Sequence, residues 1–525
     1  MKNTRKIPLY YWRRLSQLAC LTLFFFLFIR TDYSGTDTIE YAVNILFRID
    51  PLLALSASLA AGFFIPLMLP AVGTLLLTLI LGRFFCGWVC PMGTLLDGCR
   101  TMAPKAQTGN DRKYRSLKFY LLGFLLMGAW FGLPMAGYFD PFSILVRGLA
   151  LALDPALNTL STTFFTYTYQ EGPTWLNTVT EPVYAFLKAT ILPFNQKYYD
   201  LTILSLGILL LVFFLEKLER RFFCRNLCPL GALFAVTSRF SLLRGKAGTK
   251  CTKCRNCQEV CRMGAIDEER TISPIDCNLC LDCLHHCPGN KISFQFGMKS
   301  QAKPTFTLSR RTFVSSLALG AMLPFFLKSR TLARQSDELL IRPPGALPEE
   351  AFVGRCVRCG ECMKVCIGNG LQPAFLQSGL EGMFSPILKA RTGYCEYNCT
   401  LCGQVCPSGA ITKLSAPEKK KVKIGNVVFD KNRCLPYAKG IPCIVCEEHC
   451  PTPDKAIKFR EVVVENSRGE KVTVKQPYLI DGLCVGCGIC ETKCPLPGPS
   501  AVIVTSAGES RNPAKALPDT GRMGY

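Results

Sequence analysis

Histidine is nearly absent: of 525 residues only His285, His286 and His449 carry an imidazole, and all three lie inside cysteine motifs. No apolar segment therefore offers a histidine pair to a b-type haem, and no C-x-x-C-H run exists for covalent haem attachment. No flavin motif is seen, and no A-x-A-like cleavage site follows the first apolar run. Acids are scarce, 38 against 61 lysines and arginines, which leaves a net charge of +23. The basic residues concentrate beside apolar segments, so the excess reads as positive-inside orientation and not as a nucleic-acid footprint.

Apolar residues and cysteine are plentiful instead. At 49% apolar the chain exceeds what a soluble protein needs, so part of it is expected in a membrane. Its 30 cysteines cluster at two- and three-residue gaps, a spacing that means metal ligation and not a disulfide scaffold.

Four apolar stretches read as spans. Residues 15–29, extended by the aromatic belt Tyr10-Tyr11-Trp12, form the first. The uncharged stretch 51–81, interrupted by Pro66, Pro70 and Gly73, is the second, either kinked or divided into a span and a short interfacial piece. Residues 119–136 and 201–215 are the third and fourth. The loop 100–118 holds six Lys/Arg and one acid, and 216–250 holds eight and two, so both are expected inside. Loops 31–50 and 137–199 carry one Lys/Arg against four acids and three against four, and are expected outside. Ser309-Arg310-Arg311-Thr312-Phe313 then opens an uncharged run to Leu327, read as a twin-arginine-like signal or a short fifth span. Either reading moves the C-terminal part of the chain to the opposite side. Arg342-Pro343-Pro344-Gly345 and Pro348 read as a stiff linker, and residues 459–475, alternating about Ser467-Arg468-Gly469, as a β-hairpin.

Six runs of four account for 24 cysteines. The first two are spaced C-x2-C-x2-C-x3-C, a pattern in which three close thiolates wrap one cubane and the fourth closes its neighbour. Cys251, Cys254, Cys257 and Cys287 are thus expected to hold one [4Fe-4S] cluster, and Cys277, Cys280, Cys283 and Cys261 the other. The remaining four runs are Cys356, Cys359, Cys362, Cys366; Cys395, Cys399, Cys402, Cys406; Cys434, Cys443, Cys446, Cys450; and Cys484, Cys487, Cys490, Cys494. Zinc held by four cysteines is the alternative. A third cysteine at the next short gap, and Pro288, Pro407, Pro451 and Pro495 after the fourth, favour iron–sulfur, although Arg262 and Ile367 replace that proline in two runs.

Two further motifs match each other, Phe85-Cys86-Gly87-Trp88-Val89-Cys90-Pro91 and Phe223-Cys224-Arg225-Asn226-Leu227-Cys228-Pro229. Their four thiols read as a second metal site, Cu(I) or Zn among the soft choices, as a thiol relay, or as buried structural cysteines. Cys20 and Cys99 read as structural. Asp50, Asp97, Asp140 and Asp154 lie near apolar segment ends as helix caps or proton acceptors, and no catalytic residue is singled out.

With these motifs, residues 1–300 resemble the NapH family, the membrane subunit of the quinol dehydrogenase feeding periplasmic nitrate reductase. Residues 305–525 resemble its exported partner, the NapG family, as though the two were fused. The widened gaps in the middle runs are similar to four-cluster ferredoxin subunits of quinone-linked reductases. That likeness implies that outer runs exchange fourth ligands, Cys494 completing the first-run cluster and Cys366 the fourth, and that inner runs do likewise, with Cys450 serving the second and Cys406 the third.

The expected architecture is a polytopic α-helical membrane domain (1–245), a cytoplasmic two-cluster ferredoxin-like domain (246–300), a connecting apolar segment and linker (301–345) and an extracytoplasmic α+β four-cluster domain (346–525). The resemblance implies a multi-pass protein of the bacterial cytoplasmic membrane, in contact with lipid, with quinol as reductant, six [4Fe-4S] clusters, and an extracytoplasmic cytochrome or reductase as acceptor. A copper-reducing or assembly factor for a respiratory metalloenzyme is the alternative, by likeness to C-x3-C-P membrane ferredoxins of copper-enzyme maturation.

Overall fold

The computed structural model describes residues 9–99, 114–248, 251, 254–288, 291–297, 308–328, 337–465, 469–513 and 515. Most of the basic loop 100–118 and the hairpin residues Ser467 and Arg468 lie outside these. The chain divides into two compact units and passes between them repeatedly. The first comprises Met1–Ile29, Val43–Leu149 and Ile203–Phe326, the second Arg30–Ala42, Ala150–Thr202 and Leu327–Tyr525.

The first unit is built on apolar helices. Leu9–Arg30 is long and apolar enough to cross a membrane. The stretch 51–81 is divided: Pro51–Ala61 stops at Gly62, whose φ of 76° suits glycine, and Pro70–Leu81 restarts after Pro66 and Pro70. These two pack with Leu117–Trp130 and Pro229–Ser238 into the core of the unit. Thr202–Phe214 covers the fourth apolar stretch. Arg310–Lys328 is a helix lying parallel to Leu117–Trp130: Tyr120 meets Phe313 at one end and Phe131 meets Phe325 at the other. Gly123 and Gly320 permit this approach, since a Cβ on Gly123 would come 3.2 Å from Phe313 and Leu317. The strand Leu243–Ala247 pairs antiparallel with Ile292–Phe296 and brackets the first cysteine block, so this small domain begins slightly before residue 246.

Residues 137–199, which belong to the first unit up to Leu149 and to the second from Ala150, depart from their reading as a plain loop. Pro141–Glu171 is a helical run that, like Leu9–Arg30, is long and apolar enough to cross a membrane, and its later part, from Asp154, packs against the helix Thr174–Thr190. Pro155 in the first turn and Pro173 at the N-cap are helix-start positions that charge counting overlooks. The hairpin is present, Ile457–Glu465 pairing with Lys471–Leu479 in the register Ile457↔Leu479 to Glu465↔Lys471. Asn426–Phe429 pairs with Val502–Thr505, tying the middle of the second unit to its end.

The expected linker at Arg342 is core instead. Its guanidinium, 1% exposed, donates to Glu349 (2.5 and 3.0 Å), to the Ser378 and Ser385 hydroxyls and to the Pro386 carbonyl, over the Phe352 ring. Arg511 adds a second cation to Glu349 at 3.3 Å. Burial pushes the Glu349 carboxyl up, but Arg342, then Arg511 and the Ser378 hydroxyl hold it down at about 2. Because this lies below the unfolded value of ~4.3, the pair's stabilisation is complete above about pH 5 and lost as pH falls towards 2. In chemical denaturation, Glu349→Gln is expected to be about 3 kcal/mol less stable than the parent at pH 7, the difference narrowing below about pH 5. A difference independent of pH would contradict this.

Candidate metal centres

Cysteines form the core of the first block, where Cys257 and Cys283 pack with Ile266, Ile272 and Ile292. Cys251, Cys254, Cys257 and Cys287, with Pro288, line a cavity of about 340 Å3. Cys261 lies among Cys277, Cys280 and Cys283. Both groupings are those expected from spacing.

The second block corrects the expected pairing. Cys356, Cys359, Cys362 and Cys406 line a cavity of about 360 Å3, so Cys406 and not Cys494 completes the first run. Cys434, Cys443, Cys446 and Cys494 line another of about 370 Å3, so Cys494 completes the third. Cys366 neighbours Cys395, Cys399 and Cys402, and Cys450 neighbours Cys484 and Cys487, which completes the second and fourth runs. Consecutive runs thus exchange fourth ligands, as they do in the first block. The physical reason is local: after its third cysteine each run turns through a short helix, such as Glu361–Lys364 or Leu401–Gln404, that carries the fourth across to the adjacent site.

The donor sets fit [4Fe-4S] clusters. Each grouping offers four thiols in a buried or half-buried setting, and the three cavities have almost wholly apolar walls. Three C-x2-C loops share a backbone conformation, with left-handed residues at Leu279 and Leu281, Arg358 and Gly360, and Gly486 and Gly488. Holding leucine and arginine there costs about 1–2 kcal/mol per residue, which marks a geometry imposed by the site. Among the described residues no three His, Cys, Asp or Glu side chains draw close enough to hold a single metal ion.

The four quartets of the second unit form a string. Cys362 of the first neighbours Cys402 of the second. The Cys395 amide of the second donates to the Cys487 carbonyl of the fourth at 2.9 Å. Cys490 of the fourth neighbours Cys446 of the third. The spatial order is therefore first, second, fourth, third. Residues 30–42 and 150–202 clamp the first two. Asp37 accepts from the Thr400 amide (2.8 Å) and hydroxyl (2.9 Å), beside Cys399. The Tyr199 hydroxyl donates to the Met363 carbonyl at 2.9 Å, and Lys197 and Lys364 close on Asp32 at 2.9 and 3.5 Å. Sequence reading named Tyr199 only as an aromatic flank of the fourth apolar stretch and did not name Asp32, Asp37, Lys197 or Lys364, whose partners lie far along the chain.

In the first unit Cys86, Cys90, Cys224 and Cys228 converge, each within electrostatic reach of the others. Their loops lie on the first cysteine block: Trp88 Nε1 donates to the Leu279 carbonyl at 3.0 Å, and Arg83 to the Ile275 carbonyl at 2.8 Å. Asp97 ties the assembly together. It accepts from Arg221 Nε (2.9 Å) and Nη2 (2.8 Å), from Gln17 (3.1 Å) and pairs with Arg262 (2.6 Å). Burial pushes its carboxyl up, but Arg221, then Arg262 outweigh this and hold it well below the usual carboxylate range. Asp50 and Asp140 are N-caps, accepting from the Leu52 and Leu53 amides (2.8 and 3.1 Å) and the Ser143 amide (2.7 Å), while Asp154 pairs with Lys364 at 3.4 Å.

A family described as "4Fe-4S binding domain" matches residues 63–105, 201–250 and 402–425, the first two stretches each containing one C-x3-C-P motif. No solved structure matches. The methylamine utilization ferredoxin-type protein MauM of Methylorubrum extorquens is 36% identical over 35% of this chain and 82% of its own length. The ferredoxin-type protein NapG of Escherichia coli is 36% identical over 31% of this chain and 70% of its own. An uncharacterised protein of Methanocaldococcus jannaschii is 27% identical over 43% of the chain. Through this region, about a third of its length, the chain belongs to the family of ferredoxin-type iron–sulfur proteins that includes NapG and MauM, and its work is electron transfer through [4Fe-4S] clusters.

Proposed function

We propose that the chain joins a NapH-like membrane part to a NapG-like part, oxidises quinol in the bilayer, and conducts the electrons through six [4Fe-4S] clusters to an extracytoplasmic cytochrome or reductase. The observation that carries this reading is the string of four neighbouring quartets in the second unit, a continuous conductor with a beginning and an end. The clusters, when bound, supply one-electron carriers. The protein fixes their order, insulates them with apolar walls and positions the thiols.

Orientation has support from two features. Arg310–Lys328 runs parallel to Leu117–Trp130, as a fifth span would if both leave the cytoplasmic side. The two loops read from charge as external, around Asp37 and Tyr199, belong to the same compact unit as the second cysteine block. Both favour a cytoplasmic first block and an extracytoplasmic second block in the cytoplasmic membrane. The copper-handling alternative would rest on the paired C-x3-C-P motifs alone and leave the second unit without a task.

Quinol oxidation releases two electrons and two protons per molecule. In anaerobic proteoliposomes, a short-chain quinol is therefore expected to bleach the cluster absorbance and to reduce a membrane-impermeant acceptor on the side of the second unit. Clusters that respond to dithionite but not to quinol would overturn the proposal.

A further inference from the structure

The two membrane motifs are longer than C-x3-C-P. Arg83-Phe84-Phe85-Cys86, with Cys90-Pro91 and Gly93, repeats as Arg221-Phe222-Phe223-Cys224, with Cys228-Pro229 and Gly231. In both copies the second cysteine immediately precedes a helix that opens on proline, Pro91–Gly98 and Pro229–Ser238. The Gly231 amide donates to Cys228 Sγ at 3.2 Å, and the Gly93 amide bonds Cys90 in the same way. A Cβ on Gly93 would lie 3.1 Å from the Cys86 carbonyl and one on Gly231 3.4 Å from the Cys224 carbonyl, so the two loops place their glycines alike, each close to the first cysteine of its motif.

The arginines are exchanged between the copies. Arg221 donates to the Cys86 carbonyl (3.1 Å) and the Gly93 carbonyl (3.0 Å) of the other motif. A Cβ built on Gly231 would stand 3.1 Å from Arg83 Nη2 and 3.5 Å from Cys228 Sγ, so the guanidinium and the thiol flank the same glycine. Arg83 is fully buried, and its Nε and Nη2 have no hydrogen-bond partner among the described residues. A buried guanidinium with open donors is costly unless an anion faces it.

We propose that Cys86, Cys90, Cys224 and Cys228 hold a further [4Fe-4S] cluster between the two motif copies, with Arg83 and Arg221 as its buried counter-charges. Four thiolates around a cubane leave net negative charge, which the two exchanged guanidinia meet from opposite copies. Among the described residues these thiols, like the ferredoxin quartets, form no three-ligand group for a single metal ion. The Cys277 loop lies against this site: a Cβ on Gly87 would run into the Asn278 carbonyl, and Arg221 faces both Cys224 and Cys280. This site is thus next in line to the cluster at Cys261, Cys277, Cys280 and Cys283.

The inference deepens the proposed function by naming the group at the paired motifs, and counting iron reads it with no quinol present. Full-length protein purified anaerobically is expected to hold about 28 iron atoms, seven cubanes, falling to about 24 in Cys86→Ser/Cys224→Ser. About 24 in both proteins, or stoichiometric copper or zinc lost on substitution, would overturn it. Arg83→Met keeps all four thiols and serves if the double variant sheds more than one cluster. It is expected to keep its iron while the EPR signal and midpoint potential of one cluster change, with Arg83→Lys restoring them. Unchanged spectra and potentials in Arg83→Met would also overturn the assignment.

Discussion

Replacing Asp97 with asparagine should cost the first unit about 3–5 kcal/mol, the loss typical when one partner of a buried ion pair is removed. Asp97 pairs with Arg221 and Arg262 together. Those cations come from the second C-x3-C-P motif and from the first cysteine block, while Gln17 comes from the first helix. Asparagine preserves shape and some hydrogen bonding but removes the charge, leaving Arg262 to its pair with Asp282 and the Arg221 guanidinium with Glu216 as a neighbouring charge. The expected consequence is loosening of the first cysteine block from the motif loops. Chemical denaturation followed by cluster absorbance measures the stability. Limited proteolysis of the first block measures the loosening. Because the carboxyl is held well below its usual range, the parent keeps this contribution down to mildly acid pH and loses it only as pH falls below the ordinary carboxylate range. A loss under about 1 kcal/mol would show that Asp97 does not anchor the two parts.

Cys406→Ala is expected to remove the first-run cluster of the second block, about four irons, and to leave the third-run cluster intact. Paired substitutions make the outcome independent of general unfolding. Adding Cys359→Ala to Cys406→Ala should cost no further iron, because both thiols serve one cavity. Adding Cys443→Ala should cost about four more, because that thiol lines another. The nested pairing expected from resemblance requires the reverse, with Cys443 joining Cys406 and Cys359 apart from it. Iron and acid-labile sulfide assays on four proteins decide between them.

How much of this was legible in the sequence depends on how local the determining contacts are. The pairing of Cys251 to Cys287 follows from a spacing rule acting over a few residues, and the structure agrees with it. The same rule applied to the later runs would have given Cys406 to the first and Cys494 to the third. A likeness to other proteins pointed elsewhere. The hairpin about Gly469 was readable because alternation is a local signal. Arg342 was misread as linker because its partners Ser378 and Ser385 lie 36 and 43 residues further along the chain, and nothing in R-P-P-G marks an arginine as buried. The repeated arginine and phenylalanine ahead of Cys86 and Cys224 were visible, but their exchange between copies is a tertiary fact. Asp50 and Asp140 stand before prolines that open helices, a cap signal that resolves their ambiguity towards structure.

In the proposed electron path, the order first, second, fourth, third within the second unit puts the exit at Cys434, Cys443, Cys446 and Cys494. Quinol-driven reduction of Cys450→Ala protein in anaerobic proteoliposomes, resolved cluster by cluster by EPR, reads that order. Removing the fourth-run cluster should leave the first and second quartets reducible by quinol and strand the third in its oxidised state, while dithionite still reduces it. Full reduction of the third quartet by quinol at the parent rate, or no quinol reduction of any cluster in the parent, would contradict the proposed electron path.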